Sequence, residues 1–373
     1  MKTKSRYIMI GGFLGAGKTA AVAKLAAHLT AWQLRVSLIT NDQGRNLVDT
    51  AWLRALGFPT EEIPGGCFCC RFNSLVEATQ KLRIEQRPDV FIAEPVGSCT
   101  DLVATVAYPL RKFYAADFTV APVSVLVDPF RAAQIFGRRK NGGFSKKVVY
   151  IYGKQLEEAD LIVISKSDLL DSAALEKLRK TLAAQFPAKE ILAVSSRTGA
   201  GLAGWFARLT GETQSATTAM KVNYAIYAQG EAMLGWLNCT VDLHAGKPFS
   251  ADAFLPSLAT QVQKRLNTQK AEIAHLKMTL KTPGSATALA VANMVRNDKP
   301  AETSRHLNKS VTNAQLTVNL RAEAAPDVLG AALREGLAAA AATFPKLSAK
   351  LDHLEHFRPG KPTPTHRLTK LAA

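Results

Sequence analysis

Gly12-Phe13-Leu14-Gly15-Ala16-Gly17-Lys18-Thr19 decides how the rest of this chain is read. These eight residues follow the spacing G-x-x-x-x-G-K-S/T, between an apolar run, Tyr7 to Ile10, and a stretch of helical periodicity, Lys18 to Thr30. They are the strand and helix that the spacing requires on either side. Glycines let the backbone wrap a phosphate with its N–H groups, and the start of the helix adds a favourable dipole. A lysine reaches the terminal phosphates, and the hydroxyl beside it binds magnesium. On that chemistry Gly12, Gly15, Ala16, Gly17, Lys18 and Thr19 form a cradle for a nucleoside triphosphate, with Thr19 on Mg2+.

Outward from this loop, short β-branched runs alternate with longer helical stretches as far as residue 210, the pattern of βα units around a parallel sheet. Strands are predicted at Val36 to Thr40, Val90 to Ala93, Val123 to Val127, Leu161 to Ile164 and Ile191 to Val194, with further helices at Leu75 to Glu85 and Ala173 to Gln185. The fold class is α/β: a P-loop NTPase with a mainly parallel sheet flanked by helices over residues 1–210, followed by a smaller α+β C-terminal domain. Thr-rich Gly211 to Ala219 reads as a linker. The second domain, 220–345, reads as strand (Ala225 to Leu243), helix (Ala251 to Leu266), three strands (Ile273 to Leu280, Ala286 to Met294, Gln315 to Leu320) and helix (Asp327 to Thr343). Residues 346–373, with Arg358-Pro359-Gly360-Lys361-Pro362-Thr363-Pro364, read as an extended basic tail. Gly137 to Gly143, holding three basic residues, reads as a mobile surface loop.

Composition removes several classes of function. At 373 residues, with 47% hydrophobic and 21% charged side chains, the chain has the make-up of a folded protein of two domains. Its net charge of +17 is spread evenly, an excess of nine in residues 1–215 and eight in the remainder. Such diffuse charge suits phosphate ligands. Without an aromatic-interleaved basic run or a Cys/His finger spacing, no nucleic-acid partner is expected. No apolar stretch reaches about 20 residues, and the first residues lack the apolar core of a secretory signal, so no membrane association and a cytoplasmic location are expected. Three of the five cysteines fall within four positions, which suits thiolate chemistry in a reducing compartment better than a disulfide framework.

Two acids share the sheet edge expected for the phosphate loop. Glu94, in Ile92-Ala93-Glu94-Pro95-Val96-Gly97, follows the third predicted strand, and Asp42, in Asn41-Asp42-Gln43-Gly44, follows the second. Open α/β sheets bind ligands at that edge. Lys18, Asp42 and Glu94 are therefore the catalytic candidates, with Glu94 serving the magnesium shell or the attacking water. Base choice is assigned to Ser165-Lys166-Ser167-Asp168. A carboxylate at Asp168 accepts two hydrogen bonds from guanine N1 and N2, which adenine cannot supply, and the Lys166 stem covers the base. Ser165 stands where the N-K-x-D element of GTPases has Asn. Val194-Ser195-Ser196-Arg197-Thr198-Gly199 similarly resembles their S-A-K element, which places Ser195 and Ser196 beside the base.

Gly65-Gly66-Cys67-Phe68-Cys69-Cys70 puts three thiols behind two glycines that permit an irregular turn. Three thiolates suit Zn(II), Cu(I) or Co(II) and leave a fourth position for water, a side chain or an exchange partner. Inert buried thiols and a reversible disulfide are the alternatives. Cys99 and Cys239 are isolated in sequence and read as ordinary buried residues. His353 and His356, three apart, read as a polar helix end before a metal pair.

The order G-G-F-L-G-A-G-K-T, G-G-C-F-C-C, E-x-x-G and S-K-S-D resembles the CobW family, the cobalamin synthesis protein family of metal-related GTPases, over residues 6 to 210. The resemblance implies that Gly15, Gly17, Lys18 and Thr19 hold phosphate and magnesium, that Lys166 and Asp168 hold guanine, and that Cys67, Cys69 and Cys70 hold a transferred Zn2+ or Co2+. It implies GTP turnover coupled to delivery to a client metalloprotein, with a nucleotide-dependent homodimer as a further expectation. Asp49 matches an acidic position of the family. The competing readings are an ATP-dependent kinase or phosphotransferase, and a redox or metal sensor that uses nucleotide only as a conformational lock.

Overall fold

Nearly continuous apolar runs build a buried parallel sheet, and the turns at its carboxyl edge carry the polar residues. The computed structural model describes residues 4–44, 48–137, 143–284 and 288–371. In chain order the elements of the first half are β1 (Ser5–Gly12), α1 (Lys18–Ala31), β2 (Val36–Asn41), α2 (Val48–Ala55), β3 (Thr60–Ile63), α3 (Phe72–Glu85), β4 (Val90–Glu94), α4 (Tyr108–Phe113), β5 (Phe118–Val120), β6 (Ser124–Val127), α5 (Pro129–Phe136), α6 (Lys146–Glu158), β7 (Leu161–Ile164), α7 (Ser172–Gln185), β8 (Glu190–Ala193) and α8 (Leu202–Gly211). The strands run in the order β3-β2-β4-β1-β6-β7-β8, with β5 also on β1, and the pairings are parallel. The expected P-loop sheet is therefore present. Tyr7, Ile8, Leu38, Ile92, Leu126 and Val163 of its strands are fully buried, as strands covered on both faces require.

The second half continues with α9 (Tyr224–Met233), β9 (Leu234–Ser250), α10 (Ala251–Thr268), β10 (Glu272–Lys281), β11 (Leu289–Met294), β12 (Glu302–Arg305), β13 (Ser310–Glu323), α11 (Pro326–Ala341) and β14 (Leu347–Phe357). Its sheet, in the order β12-β11-β10-β13-β9-β14, is antiparallel. Phe254, Leu258 and Val262 of α10 and Leu329, Leu333 and Leu337 of α11 share one core with Leu237, Val241, Leu276 and Leu316 of the strands. A smaller α+β layer is what the patterning predicts.

The chain divides into two units that interleave along the sequence. One holds 1–43, 56–228 and 362–373, the other 44–55 and 229–361. α2 thus belongs to the second unit, where Lys277 of β10 pairs with Asp49 at 2.5 Å and Asn319 of β13 accepts from the Val48 N–H at 3.0 Å.

Several expectations are corrected. The strand predicted from Ala225 is helix up to Met233, because Asn223 Oδ1 caps the N–H groups of Ala225 and Ile226 at 3.0 and 3.2 Å. The tail predicted from 346 is instead β14 up to Phe357, a charged edge strand on β9. His353 and His356 lie on that strand, where residues three apart point to opposite faces, so the helical pair does not exist. Of the loop expected at Gly137 to Gly143, residues 138–142 lie outside the described residues. Among the described residues no helix is long and apolar enough to cross a membrane.

Candidate nucleotide and metal site

The phosphate loop is pressed against the neighbouring strand. Gly12 has φ +133°, and a Cβ there would stand 2.4 Å from the Leu126 carbonyl of β6, so only glycine fits. Gly97 allows a second close approach, since a Cβ on it would meet Leu14 N at 3.0 Å and Leu14 Cδ2 at 2.8 Å. Lys18 is buried, and its Nζ donates to the carbonyls of Gly12 and Phe13 at 2.9 and 3.4 Å. Thr19 Oγ1 donates to Glu94 Oε1 at 3.0 Å, joining the expected magnesium ligand to the acid that ends β4. Asp42 follows β2, half-buried, with its N–H on the Ile63 carbonyl at 3.4 Å.

The two elements assigned to the base are joined to each other and to the phosphate loop. Ser167 N–H donates to the Val194 carbonyl at 3.0 Å, which seats the turn of Lys166 and Asp168 against that of Ser195 and Ser196. Ser195 Oγ accepts from the N–H groups of Arg197 and Thr198, fixing the second turn. Lys166 Nζ donates to the Gly15 carbonyl at 3.0 Å and to Asp128 Oδ2 at 2.8 Å, so its stem crosses the loop. Asp168 faces Arg197 at 3.6 Å. Ser165 spends its hydroxyl on the Val127 carbonyl.

Asp128 joins this candidate site through Lys166, and sequence reading missed it. Its Oδ1 caps α5 through the N–H groups of Phe130 and Arg131, and its Oδ2 holds Lys166. Burial pushes its carboxyl up, but the Lys166 charge and hydrogen bond, with the Arg131 N–H, outweigh this and leave it below its ordinary range. The available signal was an acid directly after a predicted strand, the same signal that selected Glu94.

The cysteine turn is fastened to the end of β2. Asn41 Nδ2 donates to the carbonyls of Ile63 and Gly66 at 2.8 and 2.6 Å, and its Oδ1 accepts from the Phe68 N–H at 2.8 Å. The chain end covers the same turn: Thr363 N–H reaches Cys70 Sγ at 3.2 Å, and Thr365 N–H reaches the Cys69 carbonyl at 2.8 Å. The sulfurs of Cys67, Cys69 and Cys70 are 2.7, 3.3 and 3.7 Å apart, and they form the three-donor cluster found among the described residues. Hydrogen bonds from Cys69, Cys70 and Cys99 hold the Cys67 thiol well below its ordinary range. Its hydrogen bond to Cys67 pushes the Cys69 thiol up, and the same cause pushes that of Cys70 up to about 11. Three sulfurs this close together are a donor set that fits a soft or borderline metal.

The sequence profile described as CobW/HypB/UreG, nucleotide-binding domain, matches residues 6–193. The chain belongs to this family. Among curated relatives, the zinc chaperone CobW of a Sinorhizobium species is 31% identical over 195 residues, covering 46% of this chain and 53% of that one. The zinc chaperone YeiR of Escherichia coli K12 is 29% identical over 170 residues, covering 44% and 47%. The chain spans about half the length of the curated relatives it matches. Of solved structures, Zn(II)-bound YjiA GTPase from E. coli is 14% identical with a TM-score of 0.35, over 89% of this chain and 98% of that one. HypB from Helicobacter pylori in complex with nickel is 16% identical with a TM-score of 0.41, over 57% and 90%.

Proposed function

We propose that this chain is a GTPase that uses turnover of GTP, with Mg2+, to control the holding and delivery of a transition metal, zinc first and cobalt as the alternative ion, to a client metalloprotein. The observation that carries the reading is Asn41. It clamps the turn bearing Cys67, Cys69 and Cys70, and it sits beside Asp42 at the carboxyl edge that also holds Thr19 and Glu94. Family membership supports the same reading, as do the zinc chaperones among the relatives.

Each residue has a defined task. Lys18 and the loop N–H groups neutralise and orient the terminal phosphates, and magnesium beside Thr19 supplies further charge stabilisation when bound. Glu94 orients Thr19 and positions the attacking water, and Asp42 supports the same edge. Asp168 accepts from guanine N1 and N2, with Lys166 over the base and Ser195 and Ser196 shaping the far side. The clustered thiols carry the metal as cargo, and phosphate loss at one end of the edge changes access to the thiols at the other.

The decisive assay compares GTP with ATP for the wild type and for Asp168→Asn, with and without Zn(II). Wild type turns over GTP in preference to ATP, with a rate that responds to zinc. Asp168→Asn loses about tenfold or more of that preference, the value of one charge-assisted hydrogen bond. A preference for ATP, or one untouched by Asp168→Asn, would contradict the reading. Negligible turnover under every condition would leave a sensor in its place.

A further inference from the structure

The clustered thiols are kept from solvent by the fold: Cys67 and Cys69 are 3% and 1% exposed, and Cys70 is half-buried. Nothing of ionic or client size reaches them until some covering part moves. On one side the turn is backed by Asn41 at the end of the parallel sheet, part of a packed layer that does not open without loss of its core. On another side lies a segment distant in sequence, residues 362–371.

This segment is held unevenly. Its second part is fastened: Arg367 Nε donates to the buried Asp101 at 2.6 Å, Leu368 N–H to the Ala104 carbonyl at 2.9 Å and Leu371 N–H to the Thr217 carbonyl at 2.9 Å. Ala219 N–H donates to the Thr369 carbonyl at 3.0 Å, and Thr218 and Lys370 form an antiparallel bridge. The His366 ring stands edge-on to Phe72 of α3 at 5.2 Å and lies 5.3 Å from Phe113. The part that crosses the thiols has much less. Pro362 and Pro364 have no N–H to give, and Thr363 and Thr365 are exposed. Three hydrogen bonds join these residues to the turn: Thr363 N–H to Cys70 Sγ at 3.2 Å, Thr365 N–H to the Cys69 carbonyl at 2.8 Å and Thr365 Oγ1 to the Cys70 carbonyl at 3.3 Å. One of the three ends on sulfur, a weak acceptor. Segments with few buried contacts and exposed hydrogen bonds open locally while the rest of the fold stays intact.

We propose that residues 362–371 form a strap, anchored from Arg367 to Leu371, whose arm at 362–365 closes over the cysteine turn and lifts to admit or release the ion. The proposal rests on the metal-carrying reading above and adds a control on the same site. The arm supplies no ligand. It therefore sets how fast metal enters and leaves, and changes the equilibrium affinity little.

The test uses the full chain as wild type and with Thr363 and Thr365 both changed to proline, which removes the three hydrogen bonds and keeps the anchor. In reduced, metal-free protein, N-ethylmaleimide is expected to label Cys67 and Cys69 of the variant about tenfold or more faster than those of wild type. Cys239, 1% exposed in the core of the other unit, should keep its wild-type rate. Unchanged rates at Cys67 and Cys69, or a rise shared equally by Cys239, would overturn the strap. Zinc uptake, and zinc release to EDTA, should both accelerate by about tenfold, with a much smaller change in affinity. Faster release with uptake unchanged would make the segment a support for the bound ion and not a lid. A measurement on wild type alone needs no variant to fold: the N–H groups of Thr363 and Thr365 should exchange with deuterium about tenfold or more faster, relative to their intrinsic rates, than those of Leu368 and Leu371. Equal protection would contradict a free arm and a fixed anchor. Failure of wild type to bind zinc would sink the metal-carrying reading, whereas the maleimide and exchange rates judge the strap by themselves.

Discussion

Asn41 illustrates how much depends on single side chains at this edge. Its amide makes three backbone hydrogen bonds, one to Ile63 at the end of β3 and two to the cysteine turn, and its removal leaves buried groups without partners, at about 1–3 kcal/mol each. Asn41→Ala is therefore expected to lower zinc affinity by about tenfold or more, as loss of a supporting shell does, with a smaller loss in GTP affinity. Isothermal titration of each ligand checks the order, and a larger loss for GTP would remove Asn41 as the link. Residue by residue, the site was unevenly legible. Thr19 and Glu94 could be paired in advance because motif and strand end both mark them. Asn41 could not, since an amide that clamps backbone leaves no local pattern.

Among the elements, α6 shapes the site from behind. Glu158 at its end accepts from Thr100 Oγ1 and from the Val103 N–H at 3.1 Å each, and burial pushes its carboxyl up to about 8. The folded chain thus binds this proton more tightly than the unfolded chain. The associated stability is fully present below the ordinary carboxyl pKa of about 4.5 and is lost as pH rises through about 8. Glu158→Gln abolishes that dependence, so its stability relative to wild type is expected to improve across this interval, by on the order of a few kcal/mol. Urea unfolding at pH 5 and pH 8.5 measures it, and a constant difference would contradict the assignment.

The C-terminal segment gives a second case at this scale. Arg367 Nε pairs at 2.6 Å with Asp101, whose side chain is 1% exposed, and Leu368 N–H donates to the Ala104 carbonyl. Burial raises the Asp101 carboxyl despite the hydrogen bonds from Tyr224 and Arg367. Removing the cation leaves a buried acid that protonates in part, so Arg367→Ala is expected to cost about 1–3 kcal/mol in denaturant unfolding. Arg35→Ala, which breaks the exposed pair with Asp89, is expected to cost less than about 1 kcal/mol. Equal losses would show that the segment is not fastened there. Proline-rich residues 362–364 read as an extended tail, and in the structure they carry no helix or strand. Their docking runs through backbone N–H groups, which sequence patterns do not display.

For the whole molecule, the alternation of strands and helices made the parallel sheet readable, because strands buried on both faces are uniformly apolar. The short edge strand β3, Thr60–Ile63, carries two acids in four residues and gave no such signal. The interleaving of the two units was equally hidden. α2 reads as part of the nucleotide-binding half, yet its contacts to Lys277 and Asn319 belong to the other unit, and partition by contact is a property of distant pairs.

The central claim joins the triphosphate edge to the thiols, and thermodynamic linkage tests it directly. Zinc affinity of the full chain should be measured with a nonhydrolysable GTP analogue and with GDP, and the affinity for each nucleotide measured with and without zinc. The account predicts a zinc affinity that differs by about fivefold or more between the two nucleotides, and a reciprocal effect of zinc on their ratio by the same factor. Equal zinc affinity in the two states would contradict it.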